Sequence, residues 1–148
     1  MKLTRAQRES LQLATKTITY TAAGTGLAGA ATAIFTVTGQ VLIQYLVPYC
    51  TVNLDQSAGT PTLALGVVGN TSIFLGATTA TAIDAGFFWL DTSPAEVGAM
   101  ALPAALTNIV TIANVQCLVG GTNNISAGAI RYDVWWRPLS SDGNVAAA

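Results

Sequence analysis

At 148 residues the chain is long enough for one domain with a sizeable core. It has no histidine, which removes imidazole both as a catalytic base and as a metal ligand. Only 9% of its residues are charged, against roughly 25% in an average soluble domain. With a net charge of −1 and no Lys or Arg between residues 17 and 130, the body of the chain is a poor match for nucleic acid, where phosphate contacts dominate affinity.

Residues 3–13 are the one helix candidate. Thr4 followed by Gln7 suits a capping box, and residues 5–13 are good helix formers. The apolar stripe of Leu3, Ala6, Leu11 and Leu13 is thin, so residues 1–16 read as an N-terminal arm or short helix docked on a neighbour. The arm holds four of the six cations, Lys2, Arg5, Arg8 and Lys16, beside one Glu. That balance suits a solvated or partner-docked arm better than one that binds nucleic acid.

From residue 17 to 148 the pattern is that of a single β domain. Strands are expected at 16–22, 30–38, 41–53, 62–68, 72–77, 87–91, 97–102 and 107–119. Gly-, Asn- and Pro-containing turns separate them, notably 23–29, Gly39–Gln40, Gly69–Asn70 and 120–124. The 41–53 strand is apolar on both faces, as if buried on both sides, and 107–119 reads as a second long strand. Many short strands with such turns argue for an all-β fold, an antiparallel β-sandwich or barrel.

The last strand, 129–139, is the most informative stretch. Ile130, Tyr132, Val134 and Trp136 alternate with Arg131, Asp133, Trp135 and Arg137, the period of a half-buried strand. Pro138 has no N–H for a neighbour, so pairing should stop there or the strand should lie at an edge, and residues 140–143 read as a turn. Trp135 faces away from the core between charged residues. Aromatic and Arg residues are enriched at interface hot spots. Arg131, Trp135 and Arg137, with Arg5 and Arg8 of the arm, are therefore the candidate interface residues.

No catalytic, cofactor-binding or metal-binding set is expected, and the chain does not read as an enzyme. Asp84 and Asp91 could be a pair of acids for glycoside cleavage, but their spacing across a short strand suits separate turn residues. Gly24-Thr25-Gly26 lacks the third glycine and following helix of a dinucleotide fingerprint. Cys50 and Cys117 are expected as buried free thiols rather than a disulfide. Residues 17–54 are uncharged, but Gly24, Gly26, Gly29, Gly39, Gln40, Gln44 and Pro48 interrupt any spanning helix. The basic start is not followed by the apolar run of a secretory signal.

So few charges cannot coat a surface on the order of 7,000 Å² in the usual way, and the mid-chain strands have no Lys to guard their edges. The expectation is a homo-oligomer, or a domain covered by a larger partner.

Three stretches resemble short tailed-bacteriophage proteins encoded with head genes. They are Thr78-Thr79-Ala80-Thr81-Ala82-Ile83-Asp84-Ala85-Gly86 with Trp89, Trp136-Arg137-Pro138-Leu139-Ser140-Ser141-Asp142-Gly143, and Phe35-Thr36-Val37-Thr38-Gly39. The resemblance spans most of the β domain and leaves the N-terminal segment unmatched. It implies a structural virion protein, a capsid decoration (cement) protein that sits on the major capsid protein as a trimer. Such a protein is made in the host cytoplasm, is located on the capsid surface, and has no cofactor, membrane, nucleic acid or small-molecule substrate. The alternative is a phage fibre or spike, or a receptor-binding (carbohydrate-binding) module, with Trp135 on its recognition face.

Overall fold

The computed structural model describes residues 4–94 and 99–148, apart from the side chains of Gln7 and Arg8. The first described element is one helical turn, α1 (Arg5–Glu9), closed by Ser10 N–H donating to Ala6 O at 3.0 Å. The helix expected to run to residue 13 ends at Glu9. Strand β1 (Gln12–Thr19) starts at once and pairs along its whole length with β8 (Ile125–Pro138), from Gln12↔Trp136 to Thr19↔Ala129. Pairing wins over helix propensity here because the period-two pattern already starts before residue 17. Ala14, Lys16 and Ile18 lie on one side of β1, and Leu13, Thr15 and Thr17 are exposed on the other. Residues 12–16, expected in the arm, are therefore part of the sheet.

The other strands are β2 (Ala31–Thr38), β3 (Val41–Gln56), β4 (Thr62–Val67), β5 (Asn70–Thr79), β6 (Thr107–Thr111), β7 (Val115–Gly120) and β9 (Asn144–Ala147). They form two sheets, of order β1-β8-β3-β6 and β5-β4-β7-β2-β9. Every pair within them is antiparallel. The sheets pack as a sandwich, the fold class that the strand pattern implies.

The expected 107–119 strand is two strands in two different sheets. At the corner Ala113 N–H donates to Thr111 Oγ1 at 2.9 Å, and Asn114 Oδ1 takes the N–H of Val37 at 2.8 Å, so side chains satisfy the backbone where the chain changes sheets. β3 is buried on one side, not two: Val41, Ile43, Leu46, Cys50 and Leu54 face the core, while Tyr45 and Val52 are exposed. The 87–91 segment is a single bridge, Phe88↔Tyr49, rather than a strand. The strand expected at 97–102 lies partly outside the described residues, and 99–102 has no regular structure.

β8 lies between β1 and β3 and makes the spine of the first sheet. Ile130, Tyr132 and Val134 are wholly buried and Trp136 nearly so. Close approach of the backbones at its start requires glycine. Gly128 has φ +120°, and a Cβ there would lie 2.6 Å from Asn53 O. Trp89 joins the layers: its N–H donates to Pro48 O of β3 at 3.1 Å, and its Nε1 donates to Thr78 Oγ1 of β5 at 3.0 Å. Between the sheets Tyr20 and Tyr132 share a hydroxyl hydrogen bond of 2.9 Å, and Tyr20 Oη donates to Cys117 Sγ at 3.3 Å.

Candidate functional site

The alternation of β8 puts Arg131, Asp133, Trp135 and Arg137 on the outer face of the four-stranded sheet, and register sets their neighbours. Trp135 stands between Leu13 of β1 and Tyr45 of β3. Asp133 stands between Thr15 and Val47, and Arg131 between Thr17 and Tyr49. Arg137 is opposite Leu42, and beyond Leu42 comes Val110 of β6.

Around Asp133 the polar side chains of this face are tied up. Arg131 Nε donates to Asp133 Oδ2 at 2.9 Å, and its guanidinium sits 5.5 Å from the centre of the Tyr49 ring. Thr15 Oγ1 donates to the other Asp133 oxygen at 2.8 Å. Tyr49 packs in turn against Phe88, ring centres 5.0 Å apart. Arg137 is exposed and makes no ion pair among the described residues.

The apolar part is open. Leu11, Tyr45, Val47, Leu102 and Trp135 line a shallow hollow of about 360 Å³. A second hollow of about 290 Å³ adjoins it across Val47 and Leu102, towards Phe88, Leu90 and Met100. Leu13 is 57% exposed and Val110 63%. Contiguous apolar surface of this kind marks an interaction site far more often than scattered exposed side chains do.

Of the sequence candidates, Arg131, Trp135 and Arg137 come together on this face. Arg5 lies on α1, which rests beside β8, and its Nε pairs with Glu9 at 2.8 Å on the surface. Arg8 is on the same helix, and its side chain lies outside the described residues. Leu13, Tyr45 and Val47 were not singled out from the sequence. The signal for Leu13 was present, since 13, 15, 17 and 19 alternate outward, but helix-forming composition hid it.

The opposite outer face differs. None of the strands of the five-stranded sheet contains Asp, Glu, Lys or Arg. Ala31, Ala33, Thr36 and Thr38 of β2 are exposed there.

The edges of both sheets are guarded. On β1, Lys16 is only half-exposed and its Nζ reaches Ala148 O. β6 contains Asn108 at φ +56°, a left-handed residue in an edge strand. β5 meets β4 with two register shifts, and β9 is only four residues long. Inward charge, irregular backbone and short length each discourage strand-to-strand association.

Chemistry in the interior is muted. Cys50 and Cys117 are free and buried. Burial pushes the Cys50 thiol up to about 11, and the Cys117 thiol is raised for the same reason; both therefore stay protonated and unreactive near neutral pH. Burial likewise holds the Tyr20 and Tyr132 hydroxyls well above their ordinary range. Asp91 is exposed and caps the N–H of Ser93 at 2.7 Å, a turn role. Among the described residues no cluster of His, Cys, Asp and Glu could hold a metal ion. No helix there is long and apolar enough to cross a membrane.

No protein-family model matches the chain, and no curated protein does. Among solved structures, a chain of the cyanophage Pam1 capsid asymmetric unit superimposes with a TM-score of 0.53. The alignment covers 86% of this chain and 84% of that one, at 17% identity. What the two share is the fold. At that coverage the likeness extends well beyond a single hairpin or motif.

Proposed function

We propose that this chain is a structural protein of a bacteriophage virion, a decoration (cement) protein that binds the major capsid protein on the head surface and stabilises the shell. It works as a homo-oligomer, a trimer, and has no catalytic role. The observation that carries the reading is the sandwich shared with a capsid chain over 86% of the length. Three features support it. Residues 17–130 lack any cation, which suits a surface covered in an assembly. One outer face is apolar and aromatic while the sheet edges are guarded, which suits association through faces. The sequence has no histidine, and its cysteines are sequestered.

A protein that binds only the assembled shell stabilises it by mass action. Heads carrying this protein are therefore expected to release their contents at a higher temperature than heads stripped of it. Cryo-electron microscopy of the particle tests location. Regular copies on the head are the expected result, whereas density confined to fibres or a spike would replace this reading with the receptor-binding one. Sedimentation equilibrium tests the assembly state: a 15.2 kDa species at all concentrations would contradict the oligomer.

A further inference from the structure

We propose that the outer face of the four-stranded sheet docks an acidic, apolar-anchored patch of the shell protein. A partner's apolar side chain fills the hollow over Trp135, and a partner's carboxylate meets Arg137. This rests on the virion reading and adds which face is used and what chemistry it meets.

The hollow supplies the anchor. Its lining comes from β3, β8, the lead-in to β1 and the segment at Leu102. Every lining side chain is apolar or aromatic, so it suits a leucine- or phenylalanine-like group and offers no cation to a phosphate. Trp, Tyr and Arg standing together are the residue types that dominate binding energy at interfaces.

Charge identifies the partner. Asp133 on this face is held by Arg131 and Thr15, and Glu9 on α1 by Arg5. The other described carboxylates are Asp55 near the far end of β3 and Asp84, Asp91 and Asp142 in loops. Arg137 is thus the exposed cation of this face that makes no ion pair among the described residues. That arrangement favours an acidic partner and rejects a basic one. A second copy is the poorer occupant. The five-stranded sheet offers no carboxylate to Arg137, and on a second four-stranded face Asp133 is already held by Arg131 and Thr15. Strand addition at an edge is discouraged by Lys16, Asn108 and the β4–β5 shifts described above.

The test uses purified shells that lack this protein, with bound copies counted after sedimentation. Trp135→Ala is expected to weaken binding on the order of 30-fold, and Arg137→Glu about tenfold. Leu13→Asp, at an exposed position, should weaken it as well and guards against a folding defect in the tryptophan variant. Thr36→Lys, on the opposite sheet, should bind as wild type does. Circular dichroism confirms that each variant is folded. Wild-type binding with all three face variants unchanged would overturn the docking face alone. So would variants that bind shells normally but lose self-association, which would assign the face to a contact between copies. Failure of the wild-type chain to bind shells would overturn the virion reading and this inference with it.

Discussion

The two outer faces of the sandwich cover one core and have opposite characters. The four-stranded sheet carries Arg131, Asp133 and Arg137 amid Trp135, Tyr45 and Leu13. The five-stranded sheet has no charged residue in any strand, and exposes Ala31, Ala33, Thr36 and Thr38 along β2. Folding demands only that one side of each sheet be apolar. The outward side is free to vary, so bulk and charge collected on one outer face report a use rather than a folding requirement.

Adjacent tryptophans sharpen that contrast most. Trp136 points into the core and Trp135 out. Trp136→Ala is expected to cost about 3–5 kcal/mol in urea unfolding, and Trp135→Ala about 1 kcal/mol. Equal losses would make Trp135 a structural residue and weaken the distinction between its two sides.

The interior common to both sheets gives a smaller effect, in alkali. Tyr20, Tyr132 and Cys117 are buried together, and burial raises all three above their ordinary values of 10.0 and 9.0. The unfolded chain releases these protons at lower pH than the folded one, so it binds fewer protons in alkali and stability falls as pH rises. The contribution is fully present below about pH 8. Melting temperature should therefore drop from the thiol range upward and more steeply beyond the tyrosine range. Tyr132→Phe should flatten the drop while costing about 1–3 kcal/mol at neutral pH, because it leaves the Tyr20 hydroxyl with fewer partners. A melting temperature unchanged between pH 8 and pH 11 would contradict the buried trio.

Edges and faces can be separated next. Lys16→Val removes the charge from the edge of β1 and is expected to increase concentration-dependent association in light scattering. An unchanged profile would show that the edge is shielded by something other than Lys16. The smallest effect belongs to the uncharged face: Thr36→Lys should alter stability by no more than about 0.5 kcal/mol, measured by the same urea titration.

Much of this was legible in the sequence, though unevenly. The alternation of β8 announced both its strand and its two faces, because Ile130, Tyr132 and Val134 point inward and Arg131, Asp133 and Arg137 outward. The corner at 112–114 was hidden, since Ile112-Ala113-Asn114 contains neither Gly nor Pro and the turn is made by side-chain bonds from Thr111 and Asn114. β9 is too short and plain to signal itself. The outer face of β3 looked like core because Leu42, Val47 and Tyr49 are apolar, and only the three-dimensional arrangement shows that this side has no second layer over most of its length. The hollow depends on the register Trp135↔Tyr45 and on Leu11 and Leu102 reaching it, residues far apart in the chain that leave no local pattern.

The central place of β8 also governs the order in which the molecule can form. β1 and β3 flank β8 and do not pair with each other. Their shared partner follows both in the chain and is made only after both have left the ribosome. At about 5–20 residues per second, the first strand waits for several seconds with both of its edges open, and pairings so distant in sequence form slowly even then. During that wait residues 17–130 offer no cation to keep neighbouring nascent chains apart. Crowded translation is thus the moment of greatest risk for this protein, and expression at lower temperature should raise the soluble yield.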